Sequence, residues 1–147
     1  MINRAERQHL ALALRRLASG RISCDEFDEA CPARTNDPAV KVISDYGWGL
    51  YSDGDERLTG SKALSAEELR WVARCVLSLQ TERHYEWPPR PWWTLLDPLY
   101  IVTRGRLGFG AAAERRWRDG VDWEAWPFRN PVNLTTVAAR WPFARAV

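Results

Sequence analysis

Two histidines, three cysteines and a few glycine and acid clusters are the residues that could carry reactive chemistry in this chain of 147 residues. His9 lies among Arg7, Gln8 and Leu10, and His84 precedes Tyr85-Glu86-Trp87. Neither belongs to an HExxH or CxxC…H spacing, so no zinc site is expected. Cys24, Cys31 and Cys75 lack CxxC spacing and fall in segments that read as helices, which points to reduced, partly buried thiols. Gly108-Phe109-Gly110-Ala111-Ala112-Ala113 has the GxGxxA form of a dinucleotide-binding turn, and Leu99 to Val102 could pass for the preceding strand. That chemistry also needs further βα units and an acid about 20 positions on. Asn133 stands there instead, so the glycines are expected to turn the chain between two short helices. Asp53-Gly54-Asp55-Glu56 opens like a calcium loop without its later glycine or terminal glutamate, and reads as a solvated turn. Pro88-Pro89-Arg90-Pro91 has the PxxP form, but the tryptophans on both sides suggest that it packs against its own protein. With no GxSxG elbow and no phosphate-binding GxxxxGK[ST] loop, the expectation is a protein without catalytic residues, metal or cofactor.

Charge is more informative than reactive chemistry. The formal net charge of +2 is divided unevenly. Residues 1–22 sum to +4, residues 23–68 to −7 and residues 69–147 to +5. An acidic middle between basic ends suits a partner with a basic surface, although a fold that neutralises itself accounts for it equally well. Arg104, Arg106, Arg115, Arg116 and Arg118 surround Trp117, a mixture suited to phosphate contact and base stacking. Against this, Glu114, Asp119, Asp122 and Glu124 lie in the same stretch and the pI is 8.6.

The elements that must position these residues are helical. Leu10, Leu14 and Leu17 share a face over residues 4–19, with Gly20 where a left-handed residue ends a helix. Ser23 and Glu26 form a capping box with Ile22 and Phe27 as its hydrophobic staple, and Ser65, Glu68, Leu64 and Leu69 repeat the device. The helix after Ser65, with Leu69, Val72, Val76 and Leu79 in one stripe, is expected to be central. Asp37-Pro38, Asp97-Pro98 and Asn130-Pro131 pair a capping side chain with a proline at the first helical position, predicting helices over about 38–51, 98–104 and 131–140. Another runs from Ala111 to Asp119, before Gly120. No window alternates like a strand. The expected fold is mainly α: a compact bundle of five to seven helices with Leu10, Leu14, Leu17, Phe27, Val40, Ile43, Leu69, Val72, Val76 and Leu79 in its core. It forms one domain over 1–147, in which a helical core (1–86) carries a Trp/Pro-rich C-terminal wrap (87–147) packed on it, with Trp92 and Trp93 inside.

The apolar stretch from Leu10 to Leu14 stops at Arg15-Arg16, too short for a secretory signal. The window Trp92 to Val102 contains Asp97 and Pro98 and falls short of the roughly 20 residues that cross a bilayer. No membrane association and a cytoplasmic location are therefore expected. The blocks Leu17 to Phe27, Arg74 to Leu79 leading to Tyr85-Glu86-Trp87-Pro88, and Trp126-Pro127-Phe128 resemble blocks in small bacterial helical proteins. The first also resembles a helical hairpin common in bacterial proteins. That resemblance implies helices and assigns no functional residue. In size and composition the chain is similar to immunity proteins of bacterial polymorphic toxins, which implies neutralisation of a cognate toxin by direct binding. The function expected on this basis is protein binding through Asp28, Glu29, Asp53, Asp55 and Glu56. The alternative is nucleic-acid binding, or a regulatory role, through Arg104, Arg106, Arg115, Arg116, Trp117 and Arg118.

Overall fold

Asn3, Ser23, Asp37 and Ser65 each stand immediately before a helix and accept a hydrogen bond from a backbone amide of its first turn. The helices so started are α1 (Arg4–Ala18), α2 (Cys24–Ala30), α3 (Pro38–Trp48) and α4 (Ala66–Leu79). A 3₁₀ turn at Gly60–Lys62 precedes α4, and α5 (Phe109–Asp119) and α6 (Pro131–Arg140) follow. The computed structural model describes residues 1–51, 56–86, 102, 109–120 and 122–140. Among them are six α-helices and no strand, so the protein is mainly helical. The expected helix over 98–104, Trp92, Trp93 and the proline run at 88–91 lie outside the described residues, apart from Val102, which is helical.

Both capping boxes form as expected, with Ser23 and Ser65 accepting from the amides of Glu26 and Glu68, whose carboxylates accept from the serine amides at 2.7 Å. Gly20 adopts φ +64° after α1, and Asn130 caps α6 by accepting from the Asn133 amide at 2.9 Å. α3 ends at Trp48, three residues before the expected boundary, as Gly49 closes back on the Tyr46 carbonyl. Gly110 lies within the first turn of α5 rather than in a turn between helices. The entropic cost of glycine is felt most in the middle of a helix, so it is tolerated in this first turn.

α4 packs on α1, α3 and α6, in line with the expected central place, and α1 shares that place by packing on α2, α3 and α4. Its Leu10, Leu14 and Leu17 are buried, and Ala11 and Ala13 broaden the buried surface. Phe27, Val40, Ile43, Val72, Val76 and Leu79 complete the expected core, but Leu69 is 43% exposed. The buried stripe of α4 runs through Val72, Cys75, Val76 and Leu79, which places Leu69 at its edge in the first turn. From the C-terminal part, Trp126 is buried against Tyr46 and Trp71, with ring centroids 4.9 and 5.4 Å away. Its indole N–H donates to the Tyr85 hydroxyl at 3.3 Å. α6 packs on α4, and its Val137 is buried.

A buried ion pair crosses this apolar frame. Arg7, on the buried side of α1, donates from Nε and Nη2 to the two Asp37 carboxylate oxygens at 2.6 and 2.9 Å. Its Nη1 donates to the carbonyls of Thr81 and Arg83 at 2.8 and 2.9 Å. Asp37 also accepts from the amides of Asn3 and Ala39 at 2.9 and 3.0 Å. The pair joins the N-terminus, α1, the start of α3 and the exit from α4.

Candidate partner-binding face

α2 carries the acidic face. Cys24 and Phe27 turn inward, which leaves Asp25, Glu26, Asp28 and Glu29 exposed on the other side of this seven-residue helix. Its position is fixed from both ends: the Cys24 amide donates to the Glu56 carbonyl at 2.9 Å, and the Tyr51 hydroxyl donates to the Asp28 carboxylate. These bonds bring Glu56 beside α2 despite 27 residues of separation from Glu29. Asp53 and Asp55 lie outside the described residues.

The carboxylates differ in availability. Glu26 closes the capping box and pairs with Arg57 at 3.3 Å, while Glu56 pairs with Lys62. Asp25 and Glu29 form no ion pair among the described residues. Sequence reasoning missed Asp25, although its position opposite Cys24 and Phe27 was available from the helical period. It also missed Asp37 as a paired core residue, since the Asp-Pro pattern shows only a cap.

Asp28 also borders a groove of about 950 Å³ between the end of α2, the 31–37 linker and α3. Cys31, Arg34, Lys41, Ser44, Asp45 and Trp48 are among its lining residues. Burial raises the Cys31 thiol above its ordinary range; Asp28 and Asp45 push the same way, and the Ser44 and Trp48 donors pull against them. Cys24 and Cys75 are buried free thiols, and burial pushes Cys75 far up. All three cysteines are unbridged, in line with the reading of reduced thiols.

The basic alternative is only partly assembled. Arg115, Arg116 and Arg118 are exposed on α5, and Arg104 and Arg106 lie outside the described residues. Trp117 is half-buried, packs on the core and meets Trp123 edge to face at 5.2 Å. Its ring is therefore committed to the protein rather than offered as a stacking platform.

Comparisons with protein-family models, with curated proteins and with solved structures give no match.

The reading of function thus rests on the site itself. No group of three or more His, Cys, Asp or Glu side chains among the described residues is placed to hold a metal ion. His9 is exposed on α1. His84 and Glu86 border a smaller hollow of about 290 Å³ with Arg129 and Asn133, in which Glu86 and Arg129 stand 4.0 Å apart. No helix among the described residues is long and apolar enough to cross a membrane.

Proposed function

We propose that this chain is a non-enzymatic protein-binding protein whose acidic α2 face docks a basic surface of its partner. The observation that carries this reading is the exposed set Asp25, Asp28 and Glu29, of which Asp25 and Glu29 are free of ion pairs among the described residues. Unpaired surface carboxylates held on a rigid element steer a cationic partner and suppress wrong ones, a task that needs no nucleophile or cofactor. Among biological roles, an immunity protein that covers the basic site of a nucleic-acid-directed toxin fits this mode best, and Glu56 extends the face. The cytoplasm is the compartment in which such a protein would act.

The test is capture and identification of the partner from the native bacterium, followed by association kinetics with the purified pair. Reversal of Asp25, Asp28, Glu29 and Glu56 to lysine should slow association by about tenfold or more at low salt and weaken inhibition of a toxin partner. Unchanged association would defeat the site, and a partner without toxic activity would defeat the immunity role.

Exposed Arg115 and Arg116 support a second reading, nucleic-acid binding on α5. It predicts a steep fall of affinity for a single-stranded oligonucleotide with salt, measured by fluorescence anisotropy, and weaker binding after Arg115→Ala and Arg116→Ala.

A further inference from the structure

We infer that α5 and α6 form a strap that opens as one unit while α1–α4 stay folded, and that Trp126 is the latch that holds it closed. Neither helix contributes to the acidic α2 face.

The apolar core is divided unequally along the chain. Its buried residues form one continuous cluster, and among the described residues every member comes from positions 10–79 except Trp126. α1, α2, α3 and α4 each contribute to that cluster, so the four helices supply a core of their own. The side chains described on α5 and α6 include one buried residue each, Ala111 and Val137, and the others are half-buried or exposed. The free energy of a local opening follows the buried apolar contacts that it breaks, so a segment with few of them opens more readily than the core.

A short stretch between the two helices makes the main connection. Residues 125–128 are all buried. The Trp126 ring lies 4.9 Å from Tyr46 and 5.4 Å from Trp71, and those two rings stack on each other at 5.7 Å. Its indole N–H donates to the Tyr85 hydroxyl at 3.3 Å. Arg74 places its guanidinium 4.7 Å over the Trp71 ring and donates from Nη1 to the carbonyl of Glu124, two residues before the latch. The seat is thus built by α3, α4 and the chain that leaves α4, while its occupant belongs to the strap. An indole buries a large apolar area and its N–H requires a partner, so a single side chain supplies both packing and direction to the closed state. The packing of Trp117 on the core and of α6 on α4 would break with it, and opening would uncover the rings of Tyr46 and Trp71.

Hydrogen exchange read by mass spectrometry on the full chain, in urea below the unfolding transition, tests the strap. α5 and α6 should exchange through a shared opening of lower free energy than that of α1–α4. Tyr85→Phe removes only the hydroxyl that the Trp126 indole meets, a contact broken when the strap opens. It should speed exchange in α5 and α6 about fivefold, the scale of one neutral hydrogen bond. Ile43→Val trims a core contact that survives in the open form. It should speed exchange in α1–α4 by about two- to tenfold and leave α5 and α6 at wild-type rates. One common opening free energy for all six helices, or a response of α5 and α6 to Ile43→Val equal to that of α1–α4, overturns the separate strap. Unchanged exchange of α5 and α6 in Tyr85→Phe overturns the latch.

Discussion

Asp37→Asn tests the most consequential contact in the fold. The substitution keeps the size of the side chain and an oxygen that can cap α3, but it strands the Arg7 charge where the pair's side chains are only 2% and 0% exposed. Breaking one side of a buried ion pair typically costs about 3–5 kcal/mol, because the other charge loses its compensation while staying out of water. For a protein of this length that corresponds to a fall in melting temperature of roughly 6–20 °C. Acid should reveal the same pair. Burial alone would raise the Asp37 carboxyl, but the Arg7 guanidinium and the Asn3 and Ala39 amides outweigh it and hold it below its ordinary value. A depressed folded value means that the stabilisation is fully present above the unfolded value, about pH 4, and is lost as pH falls through the folded one. Urea unfolding at pH 7 and pH 3 should therefore show the wild type losing part of its advantage over Asp37→Asn in acid. The double variant Arg7→Met with Asp37→Asn should be more stable than the sum of the two single losses predicts. A loss below about 1 kcal/mol at pH 7, or strict additivity, would refute the account of Arg7–Asp37 as a coupled core pair.

Gly47→Ala should destabilise by about 1–3 kcal/mol despite alanine's better helix propensity, since the new Cβ would stand 2.6 Å from Cζ of buried Phe27; unchanged urea unfolding would show that the ring can yield. Leu79→Ala should cost about 2–5 kcal/mol and Leu69→Ala less than about 1, and equal losses would contradict the placement of Leu69 at the edge of the α4 stripe. Burial pushes the hydroxyls of Tyr46 and Tyr85 up to about 12. Because the folded values are raised, their stabilisation is present below the unfolded value of about 10 and lost as pH rises through 12, so ultraviolet titration should show both phenols ionising later in the folded protein than in urea.

The elements that sequence reasoning located are those whose causes are local. Ser23 with Glu26, Ser65 with Glu68, and Asn130 before Pro131 satisfy amides within three residues of themselves, so the pattern and its bond are neighbours in the chain. The Arg7–Asp37 pair spans 30 residues, and nothing in either local pattern signals that the two meet. That α1 shares the central place with α4 was illegible for a related reason. Leucine periodicity ranks helices by the apolar face of each one, whereas centrality depends on how many neighbours a helix can bury, and with its buried alanines α1 has as many as α4. The groove was illegible in the sequence because Asp28 and Cys31 come from the end of α2 while Ser44, Asp45 and Trp48 come from α3, and no short spacing joins them.

The same distinction changes what the acidic block means. A count of −7 over residues 23–68 treats every carboxylate as a surface charge. The fold consumes several of them: Asp37 within the core, Glu26 and Glu68 in capping boxes, and Glu56 opposite Lys62. Among the described residues of this block, the carboxylates left outside these roles are Asp25, Asp28 and Glu29 on α2, Asp45 on α3 and Glu67 on α4. A face made of few carboxylates favours a small number of well-placed cations over a diffuse basic surface. Reversal at Asp25 and Glu29 should therefore act on the rate of association, and more strongly at low salt than at high.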